Sequence, residues 1–236
     1  MTEFILSKEF EKYLQIYFNM QKKCSCKDIS NICDECYQHL QKVRNWIKAG
    51  IPIRYYNLDL EVLKQKNNIV NKQQYMLKIN LYNDIKNYIN NLELNFAQGR
   101  GILIFGDFGV GKTTALMNIA KEACNKNKDI KVIYMSELID DMYNNKSIIS
   151  EIPNLSALFV EDLEHCYIKK DSNFVDMLLD SIFTLSIKYN IPLFITTNFN
   201  KQQLKDKLTP HAFSLLHEIC DMYSLEGVDI RKENHL

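Results

Sequence analysis

GILIFGDFGVGKTT, residues Gly101 to Thr114, is the stretch from which the rest of the chain is read. Its first part, Ile102 to Phe105, is a short branched apolar run suited to a strand buried on both faces. Gly106-Asp107-Phe108-Gly109-Val110-Gly111-Lys112-Thr113 follows and fills every fixed position of the Walker A pattern G-x-x-x-x-G-K-[ST]. Ala115 to Ala120 then reads as helix. Between a strand and a helix, a glycine-rich loop can turn its backbone N–H groups onto a phosphate chain, helped by the positive end of the helix dipole. Lys112 is expected to reach the β- and γ-phosphates of ATP, and Thr113 to ligate Mg²⁺. Gly106, Asp107, Phe108, Gly109, Val110, Gly111 and Thr114 complete the expected binding loop. An ordinary strand-to-helix turn is the bland alternative.

Beyond the loop, strand and helix patterns alternate. Strands are expected at Ile130–Met135, Ala157–Val160, Ile191–Thr197 and Met222–Leu225. Helices are expected at Glu137–Tyr143 with Ser136 as N-cap, at Ser172–Tyr189, and from Thr209 or Pro210 to Asp221. Such alternation predicts an α/β fold, a five-stranded parallel sheet covered on both faces. Ligands of these sheets sit off the carboxyl ends of the strands. Besides the glycine loop, Glu161-Asp162 and Asn198 fall there. An apolar strand followed by two acids is the Walker B arrangement: Glu161 would hold Mg²⁺ through its water shell, and Asp162 would orient or deprotonate the attacking water. The other register makes Asp162 the metal residue and Glu164 the base, with Leu163 interrupting it. Acids that merely cap a strand end remain the bland reading. Asn198 fits an amide that positions water and senses the γ-phosphate.

Upstream, residues 1–23 carry a helical apolar pattern, and four cysteines follow: Cys24, Cys26, Cys33 and Cys36. Two close thiolate pairs can meet on one tetrahedral Zn²⁺, and His39 could replace one of them. Residues 34–49 are again helical in pattern, Gly50 and Pro52 close them, and 57–72 is polar enough for a linker. Tyr75 to Leu94 is expected to be a helix. The division is therefore 1–50 as a helical zinc module, 51–72 as linker and 73–236 as the nucleotide domain. Cys124, Cys166 and Cys220 read as small apolar fillers, His165 as structural, and Trp46 as either core or partner contact.

Lysine plus arginine number 29, as do aspartate plus glutamate, so net charge argues neither for nor against nucleic acid. No apolar run approaches the roughly 20 residues of a membrane span, and MTEFILSKEFEKYL lacks the apolar segment of a secretory signal. A cytoplasmic location is the expectation.

From about residue 50 onward the chain resembles the AAA+ ATPases that load replicative helicases, the DnaC/DnaI-like loaders of bacteria and their phages. AGIPIRYYNL, GRGILIFGDFGVGKTTAL, ALFVEDLE, LFITTNFN and SLLHEICDMYSLEGVDIRK carry the resemblance. The cysteine cluster is similar to the zinc-binding region with which some members contact the helicase. The resemblance implies a P-loop AAA+ (ASCE) core, ATP hydrolysis, a hexameric DnaB-type helicase as partner, single-stranded DNA binding and possible homo-oligomers. It also implies a sensor-2-like role for Arg231 near the phosphates. Where the family carries Ser-Arg, its arginine finger, this chain has Ser214-Leu215. Leucine cannot offset charge on a transferring phosphoryl group, so slow hydrolysis is expected unless Lys205, Lys207 or His211 substitutes.

Three other readings compete. A P-loop kinase for a small molecule needs an arginine-rich lid, and only Arg231 lies beyond Lys112. A transposase-helper ATPase shares the core but usually lacks the cysteines. An adaptor would use ATP as a conformational ligand with little turnover.

Overall fold

The five expected strands pair in one sheet. In a computed structural model, residues 33–64, 71–143, 148–167, 172–227 and 229 are described. The strands are β1 (Gly101–Gly106), β2 (Ile130–Tyr134), β3 (Ala157–Glu161), β4 (Leu193–Thr197) and β5 (Cys220–Leu225). They pair in parallel in the order β2-β3-β4-β1-β5. Ile102 lies opposite Phe194 on one side and Asp221 on the other, and Phe105 opposite Thr197. This register brings the carboxyl ends of β1, β3 and β4 to one edge, with β4 in the middle.

Parallel pairing requires crossovers, which the helices supply. They are α1 (Asp34–Lys48), α2 (Lys72–Asn90), α3 (Leu92–Ala97), α4 (Lys112–Asn125), α5 (Met135–Tyr143), α6 (Ser172–Tyr189), α7 (Lys201–Lys207) and α8 (Pro210–Ile219). Successive strand residues face opposite sides, so each strand feeds two cores. Ile102, Ile104, Val132, Phe159 and Phe194 pack under α1, α2 and α4. Leu103, Phe105, Ile133, Val160 and Ile195 pack under α5, α6 and α8. The first core is centred on Phe194, stacked on Phe159 at 4.3 Å between ring centroids and met edge-on by Tyr88 at 5.6 Å.

Helix α1 belongs to this core. Leu40, Val43 and Trp46 are buried in it, and the Trp46 indole N–H donates to Asn125 Oδ1 at 3.3 Å. Trp46 is thus a core residue. The backbone N–H of Val132 donates to Ala49 O at 2.7 Å, fastening the end of α1 to strand β2. Within the stretch assigned to a linker, Leu60–Lys64 forms a 3₁₀ turn whose Leu63 is fully buried in the same core. Apolar Leu60 and Leu63, three residues apart, give this turn a face to bury in otherwise polar sequence.

Several boundaries differ from expectation. Helix α5 starts at Met135, so Ser136 is not its N-cap; the Glu137 carboxylate instead accepts the Tyr134 N–H at 3.3 Å. Helix α8 begins at Pro210 with Thr209 as N-cap, its hydroxyl accepting the Ala212 N–H at 3.1 Å. It ends at Ile219 rather than Asp221, because pairing of Cys220 and Asp221 with β1 draws them into the strand. The helix expected over Tyr75–Leu94 is two, α2 and α3, separated by Asn91. Strand β4 starts at Leu193, two residues later than expected.

Candidate nucleotide-binding site

The glycine loop leaves β1 at the sheet edge and runs directly into α4. Gly106 has φ 125°, and a Cβ there would stand 2.1 Å from the Leu225 carbonyl oxygen. Gly111, φ 105°, precedes α4, and a Cβ there would press on Leu63 at 2.9 Å. Both positions therefore require glycine. Asp107 anchors the loop to β5: its N–H donates to Leu225 O at 3.0 Å and its carboxylate accepts the Gly227 N–H at 2.9 Å. Val110 is buried beneath the loop, while Phe108 stands 64% exposed at its lip.

Lys112 is buried, and its amine lies curled inside the loop. It donates to Gly106 O at 2.9 Å, Asp107 O at 2.6 Å and Asn198 Oδ1 at 2.7 Å. Asn198 in turn donates its side-chain N–H₂ and its backbone N–H to Glu164, which also accepts the Thr197 hydroxyl at 2.9 Å. Lysine cannot accept and a carboxylate cannot donate, so the orientation of the Asn198 amide is dictated by its two neighbours. Glu164 is thereby turned toward β4, whereas Asp162 lines the cleft beside Lys112 and Thr113.

Glu161 ends β3 at 1% exposure. One carboxylate oxygen accepts the Thr196 hydroxyl at 2.9 Å; the other, Oε1, has no hydrogen-bond partner. A buried anionic oxygen left unsatisfied close to the Thr113 hydroxyl suits a hard, oxygen-seeking cation such as Mg²⁺. Burial pushes the Glu161 carboxyl from its ordinary 4.5 up to about 7, against the Thr113 and Thr196 hydroxyls; Asp162 reinforces the rise and Arg54 opposes it. Burial likewise raises Asp162, with Glu164 adding to it, and lowers Lys112 against the surrounding carboxylates.

A folded-state pKa above the unfolded one means that the native protein holds this proton more tightly. Glu161 therefore contributes stability below about pH 4.5 that is lost as pH rises to about 7. In metal-free buffer, unfolding midpoints of the wild-type chain should decline more steeply across this window than those of Glu161→Gln. Parallel pH profiles of the two proteins would contradict the assignment.

The cleft itself holds about 550 Å³ and is walled by residues that local patterning does not reveal. Arg54, Tyr55, Leu58 and Val62 line it together with Gly109, Gly111, Lys112, Thr113 and Thr114. Lys121, buried on α4, donates to the carbonyls of Tyr55 (3.1 Å) and Leu58, which clamps this segment onto the helix that follows the loop. The signal available in the sequence was the apolar spacing of Leu58, Val62 and Leu63. His165, read as structural, also lines the cleft.

Other expected residues lie elsewhere. Leu215 packs against the second core, and Ser214 is exposed beside it. Lys205, Lys207 and His211 are exposed on α7 and α8 and do not line the cleft. Arg231, Cys24, Cys26 and residues 1–23 lie outside the described residues, as does the side chain of Cys166. Cys33 is exposed just before α1, and Cys36 is buried one turn into it. Among the described residues no group of three metal-ligating side chains forms, and no helix is long and apolar enough to cross a membrane. Cys124 and Cys220 are buried fillers, burial pushing the Cys124 thiol up to about 12 and the Cys220 thiol up as well.

No known family model matches the chain. It is similar to the replicative helicase loader DnaI of Bacillus subtilis (strain 168), with 24% identity over 119 residues. That match takes in 48% of this chain and spans only 37% of the relative's length. Among solved structures, the DnaC helicase loader superposes with TM-score 0.57 at 18% identity, covering 74% of this chain and 99% of that one. The replication initiator DnaA bound to AMPPCP and single-stranded DNA gives TM-score 0.52 at 15% identity, covering 72% of this chain and 50% of that one. The five-stranded parallel sheet with its glycine loop is thus the fold that these two solved structures have.

Proposed function

We propose that the chain is an ATP-binding and ATP-hydrolysing DNA replication protein that loads a hexameric, DnaB-type helicase onto single-stranded DNA. The observation that carries the nucleotide half is the Lys112–Asn198–Glu164 chain beside Asp162, which joins the glycine loop to the end of β4 and to the acidic segment after β3. Gly106 to Thr114 would cradle the phosphates, Thr113 and Glu161 would hold Mg²⁺, and Asp162 would receive the proton of the attacking water. The likeness to two helicase loaders supports the replication half.

In this reading residues 1–50 form the helicase-docking module, 51–72 the linker and 73–236 the ATPase domain, with α1 and the 3₁₀ turn seated on the ATPase core. Cys24, Cys26, Cys33 and Cys36 would hold structural Zn²⁺; Cys33 and Cys36, three residues apart at the start of α1, have the spacing of one thiolate pair. Arg231 would approach the phosphates from the segment after β5. The protein works in the cytoplasm.

Size-exclusion of the chain with a DnaB-type helicase and ATP tests this. Co-elution that depends on ATP, with about one zinc per chain in the same fractions, is expected. Separate elution with and without ATP would contradict it. A second reading, an adaptor with little turnover, is favoured by Leu215, whose side chain packs inward at the family's finger position. ATP-dependent co-elution with no hydrolysis, with helicase and single-stranded DNA present, would identify the adaptor.

A further inference from the structure

A nucleotide triphosphate brings more negative charge to the cleft than Lys112 can offset. One other guanidinium or ammonium group among the described residues lines that space: Arg54. It comes from the 3₁₀ turn Ile53–Tyr55, which Lys121 clamps to the loop's own helix through the Tyr55 and Leu58 carbonyls. The guanidinium is doubly oriented. Nη2 donates to the Tyr134 hydroxyl at 2.9 Å, and the group lies over the Tyr55 ring at 4.8 Å. Tyr134 ends β2, next to Glu161 of β3, so Arg54 is held on the acidic-pair side of the cleft. Among the described residues, the two tyrosines engage only part of its five donors and leave the rest for a ligand. The other described arginines are placed differently: Arg100 pairs with Asp221 at 2.7 Å, and Arg44 lies on α1.

We propose that Arg54 acts in cis on the terminal phosphate of the nucleotide, supplying from the chain's own cleft the guanidinium that Leu215 cannot offer to a neighbouring copy. This rests on the nucleotide reading above. As water oxygen bonds to the γ-phosphorus, the bond to the β–γ bridging oxygen breaks, the water proton passes to Asp162, and ADP and phosphate leave. Charge spreads over the γ-oxygens during that step, and an oriented fork beside them lowers its energy. No second subunit is needed.

The test uses the full chain as wild type, Arg54→Ala and Arg54→Lys, read by single-turnover hydrolysis and by equilibrium binding of fluorescent ATP and ADP. Arg54→Ala should lower the rate by about 10²-fold. It should also weaken ATP about tenfold more than ADP, an equilibrium ratio that a merely structural role does not move. Arg54→Lys keeps the charge without the fork, so it should recover the binding ratio more than the rate, and it serves as the readout should the alanine variant unfold. Mixing Arg54→Ala with Lys112→Ala should restore nothing, because each chain then lacks half of one site. Restored hydrolysis in the mixture, or wild-type rate and binding ratio in Arg54→Ala, overturns the cis assignment alone. Wild-type protein that binds no ATP overturns the nucleotide reading and this inference together.

Discussion

Lys112→Ala protein should bind ATP roughly 10²–10³-fold more weakly than wild type, the cost of removing one partner of a buried charge pair. In the nucleotide-free chain the amine donates to two loop carbonyls and to Asn198 Oδ1. Phosphate oxygens are stronger acceptors than either, so on the proposed reading the amine would be exchanged onto the β- and γ-phosphates when ATP enters. Alanine can make neither set of bonds. The nucleotide-free variant loses the amine's three hydrogen bonds, against which stands the cost of burying its charge, so each protein's ATP-induced shift is read against its own nucleotide-free midpoint. Saturating ATP separates the two proteins: at 100 times the dissociation constant it stabilises the wild type by about 2.7 kcal/mol and the variant by far less. Equal ATP-induced shifts in a thermal melt would show that the loop has been misread.

Asp162→Asn should have the opposite profile, with binding changed only a few-fold and hydrolysis slowed by about 10²–10⁴, the usual worth of a general base. The substitution is unusually clean here. Asp162 has φ 57°, in the left-handed region that asparagine tolerates as well as aspartate. Its backbone N–H, donated to Thr196 Oγ1 at 3.2 Å, is retained. Only the proton acceptor is lost. The other register predicts a different outcome: Asp162→Asn would then raise the Mg²⁺ requirement for binding, and Glu164→Gln would be the variant that stops hydrolysis. Single-turnover rates and Mg²⁺ titrations on the two variants separate these outcomes.

Both predictions concern residues legible in the amino-acid sequence itself. Walker A spacing needs glycines at a tight turn, a lysine and a hydroxyl, and these are local demands written into eight consecutive positions. Strands β1, β3 and β4 show as continuous apolar runs because each is buried on both faces, and the polar ends of β3 and β4 are visible as Glu161-Asp162 and Asn198. What lies between elements is less legible. Helix ends depart from the local pattern by a few residues wherever a tertiary contact competes with a cap, as at Cys220, where pairing with β1 outweighs continuation of α8. The stretch 57–64 reads as linker, since Leu58, Leu60, Val62 and Leu63, alternating with charged residues, are a weak signal until Leu63 has a core to enter.

The sequence alone thus determined the parallel α/β class, the glycine loop and the acids and amide at the strand ends, because glycine geometry and apolar period act over a few neighbouring residues. Tertiary structure alone decided which of these meet. Strand β4 sits between β1 and β3, and so Asn198 links Lys112, 86 residues away, to Glu164. It also decided that Glu161 would be sealed at 1% exposure with an unsatisfied oxygen, and that Arg54 would face the cleft through a clamp joining Lys121 to Leu58 across 63 residues. Contacts at such separations depend on strand order and packing, which no local pattern encodes.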